Sequence, residues 1–428
     1  MSLYSDPFLS DLERRGLVYD VTPELPTALA AGPLTGYIGF DPTAASLHVG
    51  SLLPILCLAR LQRAGHHPIA IAGGGTGLIG DPSGKTTERQ LLTIERVEEN
   101  LVGIRRQLEH FLDFEAKANP ARVINNHDWL GQLDLLGFLR DVGKYFKVNV
   151  MLKRESVERR LESEEGLSYT EFSYQLLQAY DFLELYDRTG CTLQMGGSDQ
   201  WGNIVAGIDL IGRRRGARAH GLVFPLVTTA SGTKFGKTEA GAVWLDPNLT
   251  SPYAYYQFWY NTEDKDALRY LRYFTFLGND AIDELAAAQT TAPEKREAQR
   301  VLAEEVTRLT HGVDALERAQ RISRLLFGEE VALLSADEVL AGVGDVPTGQ
   351  LSRESLAAPG ADLFDVLVAA GMASSKGEAR RLVEGGGVYL TNRRITDPRR
   401  KVEMADTIEG RLLLLRKGRR DYFLVRLL

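Results

Sequence analysis

Short apolar runs alternate with longer helical patterns over the first 245 residues of the chain. Five runs predict buried strands: LTGYIGF, PIAIAGGG, ARVINN, CTLQMGG and LVFPLVT. Between them, apolar side chains recur at the spacing typical of helices. This alternation predicts an α/β fold with a doubly wound, Rossmann-like parallel sheet covered by helices. Ligands of such sheets bind beyond the carboxyl ends of the strands.

The pattern changes after residue 247. Residues 248–345 carry Ala, Glu, Leu and Arg at helical spacing, which predicts a helical domain. Residues 346–360 are rich in Gly, Pro and Ser, so we expect a linker there. Residues 361–428 begin with helical patterns and close on short apolar runs, which predicts a small α+β domain. The domain at 1–247 is expected to carry the chemistry.

Charge changes the interpretation only for the last domain. The chain has 428 residues and a net charge of −7, which alone argues against a nucleic-acid partner. From Lys376 onward, however, 14 Lys/Arg residues stand against 7 Asp/Glu. The basic clusters Arg393/Arg394, Arg399–Lys401 and Arg416–Arg420 would suit salt-sensitive contacts with phosphates. A solvated basic surface is the alternative interpretation.

Several classes of protein are disfavoured by what the sequence lacks. No run of about 18 apolar residues predicts a membrane-spanning helix. The first residues are too polar and acidic for a secretory signal, so we expect a cytoplasmic protein. Cys57 and Cys191 lie far apart, which argues against a disulfide framework and a thiolate zinc site.

The glycine-rich stretch AGGGTGLIGDPSGKTTER, residues 72–89, follows a predicted strand and suggests phosphate binding. It departs from the Walker A pattern because Ile79 replaces the first glycine. Asp81 would repel phosphate and instead suits a cation such as a substrate ammonium. Lys85 and Arg89 could still reach a phosphate. A plain surface turn is the alternative for the whole stretch.

Two other stretches are candidates for binding an anion. In ASLHVGSLLP, His48 stands where an apolar helix begins, beside unpaired backbone N–H groups and the positive end of the helix dipole. In GTKFGKT, Lys234 and Lys237 stand three residues apart in a Gly-flanked turn. The lysine pair alone is a weak indication, because most such pairs are merely solvated.

Taken together, HVGS and KFGKT resemble the HIGH and KMSKS motifs of class I aminoacyl-tRNA synthetases. The stretches YIGFDPTAASLHVG, GGTGLIGDPSGKTTER, YQLLQAYDFL and MGGSDQWGNI are similar to bacterial tyrosyl-tRNA synthetases. The resemblance covers nearly the whole chain. It implies that ATP, with Mg²⁺, activates L-tyrosine and that tyrosine then passes to tRNA(Tyr). It also implies a homodimer that binds tRNA through the helical domain and the basic C-terminal domain, without a tightly bound metal.

The resemblance also implies a role for individual residues. Those acting on the ATP phosphates would be Thr43, His48, Lys234, Lys237 and Thr238. The wider ATP site would add Gly39, Asp41, Gly50, Lys85, Arg89, Gly197 and Asp199. The tyrosine site would comprise Tyr37, Asp81, Tyr174, Gln178, Asp181 and Gln200. Within it, Tyr37 and Asp181 would meet the phenol hydroxyl, and the α-ammonium would be held by Asp81, Tyr174 and Gln178.

Spacing supports the tyrosine site from the residues alone. Tyr174, Gln178 and Asp181 stand at i, i+4 and i+7, so they share one helix face, which carries no Lys or Arg. A solvent-facing polar stripe is the alternative. A tryptophan pocket would have no phenol to meet, so Asp181 with Tyr37 favours tyrosine. A non-catalytic RNA-binding protein would be expected to have lost phosphate-binding residues, and the set is complete.

Some features stay open. Ser51 stands where the family motif usually has a second histidine, and Ile38 where a cysteine is often found. Because Ser51 cannot carry a positive charge, we expect the other motif residues to bind the phosphates. The run Arg213–Arg215 suits either an RNA acceptor stem or the end of a helix. The amphipathic stretch 134–152 would suit a dimer interface or core packing.

Overall fold

The computed structural model describes residues 4–83, 92–162, 166–230, 232, 235–238, 241–326, 335–343, 346–418 and 421–428. The chain divides into two compact units, Met1–Leu249 with Trp259–Thr310 and Thr250–Phe258 with His311–Leu428. The helices expected at 248–345 are therefore shared between the two units, and the limits of that domain stay a prediction. None of the helices in the described ranges has the length and apolarity needed to cross a membrane.

The first unit contains a six-stranded sheet in the order β1-β6-β5-β2-β3-β4. Its strands are β1 (Asp20–Val21), β2 (Thr35–Phe40), β3 (His67–Ala72), β4 (Arg122–Asn125), β5 (Cys191–Gly197) and β6 (His220–Phe224). Strands β2 to β6 are parallel, and β1 pairs antiparallel with β6 at one edge. The five strands predicted from apolar runs are confirmed, although β4 is only partly buried. Strands β3 and β4 follow on one side of β2, and β5 and β6 on the other. Strand order therefore reverses between β2 and β5, as in a doubly wound fold.

Helices precede, connect and follow these strands. Those up to β6 are α1 (Pro7–Arg15), α2 (Leu25–Ala31), α3 (Val49–Arg63), α4 (Ile94–Leu108), α5 (His127–Leu130), α6 (Leu135–Asp141), α7 (Val148–Met151), α8 (Glu155–Leu161), α9 (Tyr169–Thr189) and α10 (Trp201–Arg215). A hairpin of β7 (Lys237–Thr238) and β8 (Gly241–Ala242) comes after β6. It is followed by α11 (Pro252–Tyr260), α12 (Asp264–Phe274), α13 (Asn279–Thr291) and α14 (Glu297–His311).

Two helices contribute to the candidate site, and both have clear end signals. Helix α3 begins after His48, whose side chain caps its first turn, and most of its residues are buried in the core. Helix α9 begins after Ser168, whose hydroxyl accepts a hydrogen bond from the Glu171 N–H. It ends at Gly190, which adopts a left-handed conformation with φ of 67°.

The second unit has the α+β character predicted for the tail. Its five-stranded sheet has the order β12-β11-β14-β15-β9, and β10 pairs with β13. The strands are β9 (Thr348–Leu351), β10 (Ala361–Asp362), β11 (Val388–Leu390), β12 (Arg393–Arg394), β13 (Lys401–Val402), β14 (Leu412–Lys417) and β15 (Asp421–Leu427). The helices are α15 (Val313–Leu326), α16 (Ala336–Val343), α17 (Leu363–Ala369) and α18 (Lys376–Glu384).

The expectation that 346–360 is a linker is wrong. Strand β9 pairs in parallel with β15, and Leu356 is buried in the same core as Val366. The glycine that suggested flexibility is required for packing, because a Cβ at Gly349 would lie 1.9 Å from the Ala369 carbonyl oxygen. This segment is therefore an integral part of the C-terminal sheet.

Candidate active site

A cavity of about 290 Å³ opens at the carboxyl ends of β2 and β5, where strand order reverses. This is the position at which doubly wound sheets bind ligands. The sequence-predicted residues in its lining are Tyr37, Gly39, Asp41, Thr43, His48, Gly50, Asp81, Tyr174, Gln178, Asp181, Gly197 and Gln200. Ile38 and Ser51, the two departures from the family pattern, also line it.

The remaining predicted residues are less completely described. Asp199 is exposed and lines a neighbouring cavity of about 510 Å³, which shares Tyr174 with the first. Lys85, Arg89 and Lys234 lie outside the described residues. For Lys237 and Thr238, the two residues of β7, only the backbone is described.

Two buried polar groups, on Tyr37 and Asp181, line the enclosed part of the cavity. The Tyr37 side chain is 2% exposed, and its hydroxyl has no hydrogen-bond partner among the described residues. Asp181 is 3% exposed and accepts hydrogen bonds from the Trp129 Nε1–H (2.7 Å) and the Asn126 Nδ2–H (2.9 Å). An unpaired buried hydroxyl costs about 1–3 kcal/mol, so this position favours a ligand with a hydroxyl of its own.

Burial shifts the pKa of both groups. It raises the pKa of the Asp181 carboxyl to about 8, against the two N–H donors that favour the charged form. Burial, followed by the negative charge of Asp181, raises the pKa of Tyr37 well above its usual value. The Tyr37 hydroxyl therefore stays protonated. Asp181 can bond a ligand hydroxyl in either form, as acceptor when ionised and as donor when protonated.

Sequence reasoning missed the residues that hold Asp181. Asn126 is fully buried, and its amide also donates to the Thr76 hydroxyl (2.9 Å) and accepts from the Gly75 N–H (2.8 Å). Its position directly after β4 was a usable signal, because polar residues at strand ends line sites in this fold. Trp129 lies in the single-turn helix α5 and gave no signal.

A second polar network lies around Asp81. Its Oδ2 accepts a hydrogen bond from the Gln200 Nε2–H (2.7 Å), and its Oδ1 accepts from the Ser83 N–H (2.9 Å). Gln178 donates to the Gln200 Oε1 at 3.3 Å. Asn203, which the sequence did not single out, donates to the side-chain oxygens of Gln178 and Gln200 at 3.1 Å. Four side chains are thus fixed in one arrangement before any ligand binds.

Asp41 links Tyr174, through the Thr76 hydroxyl, to the Asn126 amide that holds Asp181. Its Oδ2 accepts from the Tyr174 hydroxyl (2.9 Å) and its Oδ1 from the Thr76 hydroxyl (2.9 Å). Burial, and then the charge of Asp41, raise the pKa of Tyr174 well above its usual value. Two carboxylates, Asp41 and Asp81, line this region, and the described lining contains no Lys or Arg. The arrangement favours a small cation such as an ammonium group.

The opposite side of the cavity is built around His48. The His48 Nδ1 accepts a hydrogen bond from the Gly50 N–H at 2.9 Å, so the neutral ring carries its hydrogen on Nε2. The imidazole lies against Gly50, where a Cβ would be 2.6 Å from the His48 Cε1. The side chains of His48 and Thr43 are exposed. Both can therefore donate to an anion at the start of α3.

The backbone brings the KFGKT segment to the same helix start. The Val49 N–H donates to the Val243 carbonyl (2.9 Å), and the Val243 N–H donates to the Gly236 carbonyl (3.1 Å). Gly236 has φ of 81°, and a Cβ there would lie 2.8 Å from the Val49 Cγ2. Glycine is therefore needed at Gly236 for both its conformation and its close approach to α3.

The arginine run that the sequence left open is engaged within the protein. Arg213 Nε donates to Asp209 (2.9 Å), and Arg215 pairs with Asp187 (2.5 Å). The third member, Arg214, donates to the Asp141 carbonyl at 2.8 Å. These contacts support a role for the run in fixing the end of α10.

The basic clusters of the tail are also partly engaged. Arg416 is 9% exposed, its guanidinium lies 3.8 Å from the centre of the Tyr389 ring, and it donates to the Gly418 carbonyl. Two of its nitrogens thus donate within the domain, to Asn392 and Gly418, and a phosphate contact from Arg416 stays a prediction; residues 419–420 lie outside the described residues. The side chains of Arg393, Arg394 and Arg399 are exposed.

Comparisons with known proteins agree with this geometry. Residues 29–328 match the family of tRNA synthetases class I (W and Y), and residues 338–425 match the tyrosine–tRNA ligase SYY-like C-terminal domain. A tyrosine–tRNA ligase of Roseiflexus castenholzii is 56% identical over 98% of this chain and 99% of its own length. One from Bacillus caldotenax is 52% identical over the same shares.

Solved structures lead to the same group. A C-terminally truncated mitochondrial tyrosyl-tRNA synthetase of Aspergillus nidulans matches with a TM-score of 0.68 and 32% identity, over 75% of this chain and 94% of its own. A tryptophanyl-tRNA synthetase of Encephalitozoon cuniculi, at 13% identity and a TM-score of 0.53, shares the fold alone. The chain belongs to the tyrosine–tRNA ligase family of class I tRNA synthetases.

Proposed function

We propose that the cavity between β2 and α9 performs the first step of tyrosine–tRNA ligation. The carboxylate of L-tyrosine attacks the α-phosphorus of ATP, which forms tyrosyl-adenylate and releases pyrophosphate. The observation that carries the proposal is the unpaired, buried hydroxyl of Tyr37 in the same cavity as the buried carboxyl of Asp181. ATP–pyrophosphate exchange with each of the twenty amino acids tests it, because only tyrosine should support rapid exchange.

The amino acid is chosen at Tyr37 and Asp181. A phenol hydroxyl both donates and accepts, so it satisfies these two groups together. Phenylalanine would fill the same space but leave the Tyr37 hydroxyl unpaired and give Asp181 no partner on the ligand. Enzymes of this class are the standard case of such discrimination: they prefer tyrosine to phenylalanine as substrate by about 10⁵-fold, without editing. An indole offers only a donor, on another part of the ring, so the same pair disfavours tryptophan.

The α-ammonium of tyrosine is proposed to bind among Asp81, Tyr174, Gln178 and Gln200. The hydrogen bonds that connect Gln178, Gln200 and Asp81 fix their side chains before the substrate arrives. Asp41, assigned to the ATP site from the resemblance, orients the Tyr174 hydroxyl and adds negative charge to the same region. The substrate carboxylate is then held towards the ATP side without a general base, since it is already ionised at neutral pH.

The phosphates of ATP are proposed to bind at the start of α3. The His48 Nε2–H and the Thr43 hydroxyl would donate to them in the transition state, where charge moves onto the leaving pyrophosphate. The pyrophosphate would also be held by Lys234, Lys237 and Thr238, with Lys85 and Arg89 on the other side. The nucleoside and ribose would contact Gly39, Gly50, Gly197 and Asp199.

Mg²⁺ is proposed to enter as a complex with ATP. Asp41 and Asp81 each accept side-chain hydrogen bonds within the cavity, so the described lining offers no dedicated cage of carboxylates. Mg²⁺ usually binds through substrate phosphates with one or two carboxylates, which suits this lining. The ion would offset the negative charge that develops on pyrophosphate.

The second step is proposed to use tRNA(Tyr), bound in part by the basic C-terminal domain. The neighbouring cavity has Lys153, Arg154 and Trp201 in its lining, which suits the stacking and charge of an unpaired RNA end. A variant that lacks residues 335–428 tests this role. The deletion begins before α16, so it removes the C-terminal sheet as a whole. It should spare adenylate formation and weaken tRNA charging. Unchanged charging at moderate salt would refute the RNA-binding role. We also propose a cytoplasmic location, in line with the bacterial relatives.

A homodimer is proposed through α6 and α7, within the stretch predicted for this role. Five large apolar side chains stand in solvent there: Leu135 (70% exposed), Leu136 (77%), Leu139 (41%), Val148 (59%) and Val150 (52%). Apolar patches of this kind usually mark an interaction surface. Sedimentation of the protein and of its Leu136→Glu variant tests the proposal, because the substitution should yield monomers; a monomeric parent protein would refute it.

A further inference from the structure

Helix α12 holds the chain just before the lysine motif. The Ala230 N–H donates to the Asp266 Oδ2 at 2.8 Å. Two residues earlier, the Thr228 carbonyl accepts from the Tyr270 hydroxyl (3.0 Å) and from the Arg269 Nη2–H (2.6 Å). Asp266 is 2% exposed, and its other oxygen pairs with Arg269. Residues 228–230 are thus fixed to one end of this helix.

The same helix holds the chain just after Lys234. The Phe235 ring is 7% exposed and stacks on Phe274, with ring centres 5.3 Å apart and planes 15° apart. It also meets the Tyr270 ring edge-on at 5.1 Å. Asp266, Tyr270 and Phe274 stand at i, i+4 and i+8, so a single face of α12 makes both contacts. Residues 231, 233 and 234 lie outside the described residues, and the inference concerns those that flank them.

Helix α12 is also tied to the helix that His48 caps. Arg60, near the end of α3, is 4% exposed and donates to the Thr275 carbonyl at the end of α12 (2.6 Å). Arg15 of α1 donates to the same carbonyl at 3.2 Å. Helix α12 therefore contacts both α3, which begins at the HVGS motif, and the residues on either side of Lys234. Simple core packing of α12 would not require hydrogen bonds to the backbone at residues 228 and 230.

We propose that Asp266 and Phe235 are positioning residues of the activation step, because they fix the chain at residues 230 and 235, on either side of Lys234, relative to the helix start at His48. Neither lines the cavity, so each acts through the position of the chain that it holds. The inference rests on the proposed function. It implies that loss of the Asp266 contact slows adenylate formation. Tyrosine binding should stay unchanged, because the hydrogen bonds between α12 and residues 228–230 involve no residue of the tyrosine site.

The test compares Asp266→Ala and Asp266→Asn in the full-length protein. We expect Asp266→Ala to lower the rate constant of adenylate formation about 10-fold, and Asp266→Asn, which keeps an acceptor for the Ala230 N–H, less than about 3-fold. Tyrosine Kd should stay within about 2-fold in both, since the bonds lost are not to tyrosine. The exposed Glu263→Ala, three residues earlier, is the matched control.

Three results would overturn the inference: an unchanged rate in Asp266→Ala, equal losses in the Ala and Asn variants, or a loss of tyrosine affinity as large as the loss of rate. If Asp266→Ala does not fold, Phe235→Leu replaces it. We then expect a rate loss of more than about 2-fold, because the substitution removes the packing of Phe235 on the Phe274 and Tyr270 rings. A rate within about 2-fold of the parent protein's would refute the positioning role of Phe235. Absence of tyrosine-dependent exchange in the unmodified protein would instead refute the proposed function.

Discussion

The two sides of the cavity are constructed differently. On the tyrosine side, side chains bond one another before substrate arrives: Asn126 and Trp129 hold Asp181, and Gln200 holds Asp81. On the ATP side, backbone hydrogen bonds through Val243 fix the chain, and the side chains of Thr43 and His48 are exposed. The difference matches the two tasks, because amino-acid choice needs a fixed ground-state site, whereas phosphate chemistry needs donors that gain partners as charge develops.

The largest expected effect comes from breaking the tyrosine side at Asp181. Asp181→Ala removes an acceptor for the phenol and leaves the Trp129 and Asn126 donors unpaired, so kcat/KM for tyrosine should fall about 10³-fold. Tyrosine-dependent exchange measures it. Asp187→Ala, an aspartate on the same helix that pairs with Arg215, is the control and should keep full activity. Near-normal exchange in Asp181→Ala would refute the pocket assignment.

A substitution on the ATP side of the cavity should lower kcat and leave the affinity for tyrosine unchanged. His48→Ala removes one donor to the moving phosphates, so the rate of adenylate formation should fall about 10²-fold with tyrosine Kd unchanged. Ser51→Ala, one turn along the same helix start, should leave the rate unaltered. A 10²-fold loss in Ser51→Ala, on the scale of a transition-state donor, would show that the serine has taken over the role of the family's second histidine.

The buried Asp181 should also make stability depend on pH. Its pKa is about 8 in the folded protein against an ordinary value of 3.8, so between these values the folded state keeps a proton that the unfolded state has lost. The free energy of unfolding therefore falls as pH rises through this range. Asp181→Asn is neutral throughout, so relative to it the parent protein should lose about 2 kcal/mol between pH 6 and 8.

Urea-denaturation midpoints of the two proteins at pH 6, 7 and 8 measure this difference. A difference that does not change with pH would show that Asp181 is already ionised in the empty site. In that case Asp181 would bind the phenol hydroxyl as a charged acceptor. The two N–H donors to Asp181 would then outweigh the effect of its burial.

The sequence predicted the sheet and one helix face because their signals are local. Apolar runs identified the five parallel strands, and the spacing of Tyr174, Gln178 and Asp181 identified a face that does line the cavity. The support of Asp181 could not be predicted in the same way, because Asn126 and Trp129 lie 55 and 52 residues from it along the chain. The position of Asn126 after β4 could have indicated a site residue, but nothing local indicates that Asn126 or Trp129 is a partner of Asp181.

A glycine and an arginine have neighbours that the sequence did not indicate, for a related reason. Gly349 suggested a linker, yet it is small because the Ala369 carbonyl packs against it from another element. Arg416 suggested an RNA contact, yet it stacks on Tyr389 inside the domain. The sequence gives the residue type, but the tertiary neighbours decide its role. They determine whether a glycine allows a flexible turn or a close packing contact, and whether a guanidinium faces solvent.

The central claim is that Tyr37 and Asp181 choose the substrate by its phenol hydroxyl. Its most direct test is the ratio of kcat/KM for tyrosine to that for phenylalanine in ATP–pyrophosphate exchange, for the parent protein and Tyr37→Phe. We predict a parent ratio of several orders of magnitude, in line with the about 10⁵ standard for this class. In Tyr37→Phe it should fall about 10-fold, because one neutral hydrogen bond is lost. Comparable activation of both amino acids by the parent protein, or an unchanged ratio in Tyr37→Phe, would contradict the account.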